Sequence, residues 1–201
     1  SGNLSTSFSG SALTFAGTGI QLNVGEFGSL TGNISVEKDS DGNILVGATA
    51  VSATVGVSGA GISVTGASLG LYVSGVTETA GGYALVANGS TALNGFTDIT
   101  LAASAGVRIN TLGRSIDKTI NGVAVKFDSP NLVQELAIDN GTLTVAGVGS
   151  VTADLAVRSE TKTVSGAQVT DLQIGLGDVS ASLNLGALTA SLTNGQGAIL
   201  L

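Results

Sequence analysis

The stretch Leu30-Thr31-Gly32-Asn33-Ile34-Ser35-Val36 alternates apolar or small residues with polar ones. It runs straight into the charged cluster Glu37-Lys38-Asp39-Ser40-Asp41-Gly42-Asn43. A period of two marks a pleated strand with two unlike faces, whereas an amphipathic helix repeats every 3.6 residues. Asp-Gly between alternating runs fits a tight hairpin, because a type I′ turn needs positive φ at both central positions. The same alternation returns in Ile62-Ser63-Val64-Thr65-Gly66 and in Thr142-Leu143-Thr144-Val145, and Val, Thr and Ile dominate throughout. No window of a dozen residues keeps a helical period; 131–138 comes nearest and is short. The chain is predicted to be all β.

Turn signals recur with a regular spacing. Beyond the cluster at 37–43, charge combined with Gly or Ser marks 78–82, 114–118 and 158–162, and Asn and Gly mark 194–197, with centres 35 to 45 residues apart. A second set falls between them at 58–61, 94–95, 139–141 and 175–178. The simplest path is an antiparallel meander of long hairpins with legs of about 15 to 20 residues, well beyond the usual strand of about 5 to 6. Legs of that length twist and coil. Internal glycines such as Gly47, Gly56, Gly66, Gly70 and Gly106 are expected at bulges or bends. Small residues on both faces, as in Gly47-Ala48-Thr49-Ala50-Val51-Ser52-Ala53, imply closely spaced layers. The expected architecture is therefore a bent, stacked meander forming an elongated β-solenoid- or sandwich-like repeat structure.

Shifting the chain by 121 residues lays Phe27-Gly28-Ser29-Leu30-Thr31 over Val148-Gly149-Ser150-Val151-Thr152. Gly47-Ala48 then matches Gly166-Ala167, and Gly66-Ala67 matches Gly186-Ala187, with a slightly shorter offset. The whole chain, 1–201, reads as one continuous β-repeat region. Within it, 1–27 would end a preceding module, 28–148 would be one full module, and 149–201 would begin the next. Repeats that cannot bury their faces alone stack into an extended core.

The 201 residues are 43% hydrophobic, 3% aromatic and 10% charged, with 31 Gly and one Pro. An ordinary globular chain is about 25% charged and about 7% Gly. Cys, His, Met and Trp do not occur. Those gaps remove disulfides, thiolate nucleophiles, Cys- and His-ligated metals and the Ser-His-Asp triad. A net charge of −7 opposes binding to nucleic acid or an anionic membrane, which need clustered Lys and Arg. The charge-free stretches 42–77 and 179–201 are interrupted every second or third residue by Ser, Thr, Asn or Gly, unlike a transmembrane helix. Two tyrosines, Tyr72 and Tyr83, cannot supply the aromatic girdles of a membrane barrel. The chain is read as not transmembrane. An initiating Ser1 and the apolar run Ile199-Leu200-Leu201 suggest a processed or excised piece of a longer protein.

Candidate chemistry is sparse. Asp39, Asp41 and Asn43 have the Asp-x-Asp-Gly spacing of calcium loops and are the one metal candidate. Position twelve of an EF-hand would fall on Ala50, not Glu, so a solvated hairpin turn is the simpler reading. Asp98, Asp128, Glu135 and Asp154 could in principle pair for glycoside hydrolysis, yet no spacing singles any of them out. Asn88-Gly89-Ser90 forms a glycosylation sequon. Phe8, Phe15, Phe27, Phe96 and Phe127 read as scattered core anchors. No catalytic constellation is expected, and no cofactor beyond calcium.

Three strings, Ile44-Leu45-Val46-Gly47-Ala48-Thr49-Ala50-Val51, Val64-Thr65-Gly66-Ala67-Ser68-Leu69-Gly70-Leu71 and Tyr83-Ala84-Leu85, resemble repeats of very large secreted bacterial surface proteins, the giant adhesin-like proteins associated with RTX motifs. The resemblance spans about two thirds of the chain. It implies an extracellular or cell-surface tandem-repeat structural protein serving adhesion or filament formation. The Gly-Gly-x-Gly-x-Asp nonapeptide of RTX calcium sites is missing. The expected partners are identical or neighbouring repeat modules, joined end to end by β-strand pairing, together with cell-surface or glycan contacts. A carbohydrate- or ice-binding β module is the alternative, though Thr keeps no fixed spacing along the chain.

Overall fold

The computed structural model describes residues 4–9, 12–24, 28–57, 60–75 and 81–201. They form thirteen strands and no helix. In chain order these are β1 (Leu4–Ser9), β2 (Ala12–Val24), β3 (Gly28–Lys38), β4 (Ile44–Val57), β5 (Ala60–Val73), β6 (Tyr83–Asn94) and β7 (Ile99–Asn110). There follow β8 (Ile116–Ile120), β9 (Val123–Phe127), β10 (Leu132–Val145), β11 (Gly149–Val164), β12 (Ala167–Leu185) and β13 (Leu188–Leu200). Eleven of them make one sheet in the order β1-β2-β3-β4-β5-β6-β7-β10-β11-β12-β13, and every pairing is antiparallel. The sheet is an open meander, since β1 and β13 do not pair with each other. The all-β, antiparallel-meander expectation holds, with legs reaching 19 residues in β12.

Several expected turns lie elsewhere. The turns at 39–43 and 94–98 fall where the sequence puts them, while β4 ends at Val57 and β5 begins at Ala60. The 114–118 cluster does not turn the sheet; it leads into β8, and the reversal comes at Asn121-Gly122. The charged 158–162 segment is the interior of β11, because its side chains pair across strands on one face instead of dispersing into solvent. Asn-Gly and Gly-Asp at 139–141, 175–178 and 194–197 are mid-strand irregularities, each keeping the chain in its strand. The reversals lie at Gly147, at Ser165-Gly166 (φ 51° and 83°) and at Gly186. Gly166-Ala167 and Gly186-Ala187 thus flank turns, whereas Gly47-Ala48 and Gly66-Ala67 lie inside strands. The first edge strand is β1. Phe127 is a core residue, but Phe96 is 48% exposed on the β6–β7 turn. Phe27, residues 58–59 of the expected 58–61 turn, and Glu78 lie outside the described residues.

The mid-strand irregularities form a seam. Register shifts occur at 17–20 in β2, 48–51 in β4, 65–68 in β5, 138–141 in β10, 176–179 in β12 and 192–195 in β13. Each stretch contains a left-handed residue: Gly19, Ala50, Gly66, Asn140, Asp178 and Asn194, with φ between 48° and 60°. An extra residue at such a bulge bends the strand and raises its twist. Two bulges are held by a side chain from the next strand: Asn33 Oδ1 accepts from Gly19 N at 3.0 Å, and Asp154 Oδ1 accepts from Asn140 N at 2.6 Å.

Between β7 and β10, residues 111–131 leave the sheet and return as the β8–β9 hairpin, which lies flat on one sheet face. Its buried side chains alternate with exposed ones: Ile116 and Ile120 on β8, and Val123, Val125 and Phe127 on β9. They meet Tyr72, Ala84 and Val133 of the sheet, with Leu45 and Val86 packed alongside. The seat is made by Gly47 and Gly70, which are register partners on β4 and β5. A Cβ on Gly70 would come within 2.6 Å of Val125 Cγ2, and one on Gly47 would collide with Asn121 Cβ. Buried Asn110 closes the base of the insertion. Its Nδ2 donates to the carbonyls of Arg114 and Asn131, and its Oδ1 accepts from Leu112 N. Arg114 lies over the Tyr72 ring and donates to its hydroxyl, while Arg108 lies over the Phe127 ring and donates to the Lys126 carbonyl.

Because the seat has no room, Gly70→Val should destabilise the fold by about 2 kcal/mol or more. Gly106→Ala, whose added methyl would meet nothing nearer than 3.9 Å, should stay within about 0.5 kcal/mol of the parent. Urea unfolding of the two variants separates these outcomes; equal midpoints would dismiss the seat.

Candidate functional site

The β3–β4 turn holds the candidate metal ligands. Asp39 Oδ1 accepts from Asp41 N at 3.0 Å and from Asn43 N at 2.8 Å, and its Oδ2 accepts from Asn43 Nδ2 at 2.8 Å. Asn43, 7% exposed, uses its Oδ1 to accept from Gly75 N at 2.8 Å. These are the bonds by which an aspartate at the head of a turn satisfies its own backbone. They also tie the turn to the β5–β6 connection. Desolvation pushes the Asp39 carboxyl up, but the bonds from Asn43 and Asp41 and the Lys118 charge outweigh it and hold the pKa below its usual value. Asp39, Asp41 and Asn43 are thus brought together as a self-satisfied turn. Among the described residues, no cluster of three or more Asp or Glu side chains is placed to hold a metal ion.

The four carboxylates considered for glycoside hydrolysis are dispersed. Asp98 sits at the β6–β7 turn, where its carbonyl accepts from Ala146 N. Asp128 follows the hairpin and pairs with Lys126 at 3.6 Å. Glu135 lies opposite Arg108 and Arg158 in register, and Asp154 is engaged at the Asn140 bulge. Arg158 and Asp154 are four residues apart on β11, about 13 Å at ~3.3 Å per residue. That backbone spacing is wider than the about 5 to 9.5 Å between carboxyl groups that glycosidases use. The sequon residue Asn88 lies in mid-strand on β6, where its Oδ1 accepts from Ser68 Oγ.

The densest electrostatic feature is a ladder beside the hairpin. Arg158 donates to Glu160 at 3.0 Å and to Glu135 at 3.4 Å; Arg108 approaches Glu135 at 3.8 Å, and Lys162 meets Asp171 at 2.6 Å. Asn131 Nδ2 donates to Glu160 at 2.6 Å, linking the hairpin's return to β11. That bond is the leading reason that the Glu160 pKa is lowered, with the Arg158 and Lys162 charges adding to it against desolvation. Both sides of the ladder are neutralised, so it is suited to pinning strands and not to proton transfer.

Two surfaces remain. The edge strand β13 carries no charged residue and is exposed along nearly its whole length. The sheet face away from the hairpin gathers most of the exposed large aliphatics, among them Leu136, Leu176 and Ile199. Among the described residues, no helix is long and apolar enough to cross a membrane. No family model, curated protein or solved structure matches the chain. Sequence reading missed the hairpin seat, although Gly47 and Gly70 were visible as interior glycines. It also missed the seam, whose signal was the set of Asn-Gly and Gly-Asp pairs taken for reversals.

Glu160 contributes stability above the ordinary glutamate range and loses it as pH falls through its lowered pKa. Asn131→Ala should therefore raise the Glu160 pKa toward normal and lessen the acid loss of stability below pH ~4.5 by about 1 kcal/mol. Carboxyl NMR titration with urea unfolding between pH 3 and 7 checks this, and an unmoved Glu160 titration would refute it. Asp39→Ala should cost about 1 kcal/mol through the lost turn bonds, and added calcium should not change the wild-type midpoint.

Proposed function

We propose that the chain is a non-catalytic structural repeat of an extracellular fibre or giant surface protein, joined to identical or neighbouring modules by edge-strand pairing. The observation that carries this reading is the open eleven-stranded sheet with an uncharged edge at β13. Unpaired N–H and C=O groups along an edge are a template for another strand, and proteins that stay monomeric blunt such edges with Lys, Pro or bulges. Neither Lys nor Pro occurs in β1 or β13; the bulge at 192–195 interrupts β13 near its middle and leaves 188–192 and 195–200 as its pairing segments. Pairing β13 of one module with a first strand of the next is heterologous and so propagates into a filament.

The repeat is supported by the seam. Gly19 and its acceptor Asn33 lie 121 residues before Asn140 and its acceptor Asp154, with the same bond in each pair. Ala50 and Gly66 lie 128 residues before Asp178 and Asn194, again left-handed at the same places in successive strands. The offset grows because β11 and the first part of β12 are longer than β3 and the first part of β4. The module boundaries read at 27/28 and 148/149 would fall between β2 and β3 and between β10 and β11. On this reading β2–β5 and β10–β13 are two copies of one supersecondary unit, separated by β6, β7 and the inserted hairpin.

A carbohydrate- or ice-binding role draws on the polar side of the sheet beyond the seam. There Thr100, Thr144, Ser150, Ser182 and Ser191 stand in one cross-strand row. Several hydroxyls bond each other, as Ser150 does with Ser182 at 3.0 Å and Thr142 with Thr152 at 3.1 Å, which leaves fewer for a ligand. Edge pairing is the stronger reading.

The test is assembly. Wild-type protein should form larger species as its concentration rises in sedimentation velocity. Ser191→Lys with Leu200→Lys, both on the polar side of β13, should remain monomeric with an unchanged β spectrum. A wild type that is monomeric at all concentrations, or a double variant that assembles equally well, would reject edge pairing.

A further inference from the structure

The small core lies between the hairpin and one sheet face, yet most of the larger aliphatic side chains project from the other face. Leu136, Leu143, Val151, Leu176, Leu192 and Ile199 are 40–55% exposed, and the register sets them all on that side. Apolar surface of this extent marks a binding site more often than idle surface. Those six lie on β10–β13; the same face is concave farther along the sheet, on β3–β7. Ile34, Leu69 and Val107 from one side of the seam line a single cavity of about 350 Å³ with Val51, Val64 and Thr91 from the other. At roughly 30 Å³ per water-sized group it has room for about ten methylenes.

The charge distribution selects the occupant. No charged side chain lines the cavity. Four residues beyond Ile34 on β3, about 13 Å along the strand, exposed Lys38 stands on the same face outside the cavity, in register with Leu13 and Ile44. Between them, Val36, Val46, Leu71 and Leu85 form an unbroken apolar row. A second copy fits poorly: its other face is polar or covered by the hairpin, and two concave apolar faces set together would enclose a void, forfeiting contact.

We propose that this trough binds a long-chain fatty acid, with the hydrocarbon tail in the cavity across the seam and the carboxylate at Lys38. The site does not depend on edge pairing, because it lies on a face and not on β13. The probe is cis-parinaric acid, a fluorescent fatty acid, titrated into the purified chain and displaced by palmitate. Wild type should bind it saturably with displacement. Ala87→Asp, which puts a carboxylate in the apolar wall, should weaken binding by about tenfold or more. Lys38→Glu, at an exposed site where folding is not in question, should weaken it by about fivefold and leave the affinity for the methyl ester unchanged. Ser104→Glu, on the opposite face, should bind as wild type. Absence of saturable binding by wild type, equal affinity in Lys38→Glu and wild type, or a face-to-face dimer that forms instead of the complex would each overturn the proposal.

Discussion

The contact between the β8–β9 hairpin and the glycine pair Gly47–Gly70 is the constraint on which the rest of the structure depends. A single twisted sheet has no interior; its side chains gain burial only when something lies on it. The chain supplies that cover from its own insertion, and the cover can approach only where two register-matched residues lack a Cβ. Fully buried Val125 and Asn110 mark the two ends of this contact, one apolar and over Gly70, the other polar and closing the neck of the insertion. Burying an amide side chain is costly unless its bonds are made, and Asn110 makes three. The hairpin is therefore held by shape at its tip and by hydrogen bonds at its base, with Arg108 and Arg114 stacked on Phe127 and Tyr72 in between.

The seam answers a second constraint. Strands of 11 to 19 residues accumulate twist, and an uninterrupted sheet of that length loses its partners' register. Bulges in β2, β4, β5, β10, β12 and β13 absorb the twist near mid-strand and keep each hydrophobic set on one side despite the extra residue. Where the left-handed residue is Gly the conformation is free of Cβ strain; where it is Asn or Asp, a short polar side chain tolerates it. Ala50 is the exception, a left-handed residue with neither advantage. Its neighbour Val51 packs tightly against the Gly32 position, where a Cβ would come within 3.0 Å of Val51 Cγ2.

What the sequence made legible follows from the range of each signal. Alternation is local, so Leu30 to Val36 identified a strand and its two faces without knowledge of partners. Asp39 to Asn43 was legible as a turn because Asp39 bonds the backbone two and four residues on. Asn140-Gly141 and Asn194-Gly195 misled, because positive φ is needed equally at a hairpin tip and at a bulge, and only the neighbouring strand decides between them. The Arg158-Ser159-Glu160-Thr161-Lys162 cluster misled for a related reason. Charges in a strand interior are satisfied by cross-strand partners Glu135 and Asp171, which lie 23 and 9 residues away in sequence. The hairpin seat was hidden because nothing local distinguishes a glycine that bends a strand from one that makes room for another element.

These features together place stability and accessible surface on opposite sides of one sheet. Gly47 and Gly70 bring the hairpin onto one face, so the buried core of this chain is small and lies beside the Arg158 ladder. The bend at the seam turns the other face inward without closing it, leaving Leu69, Val107 and Val64 around an open cavity. Had the hairpin seated on that second face, its Ile and Val side chains would have filled the trough, and the sheet would have presented Ser and Thr on one side and a sealed core on the other. The chain instead covers the half-polar face and leaves the aliphatic one uncovered. Uncovered aliphatic surface opposes solubility as a separate unit, and bulges and paired charges elsewhere do nothing to hide it. Any cover for this face would come from outside these strands, and at the cavity the concavity would favour something narrower than a second sheet.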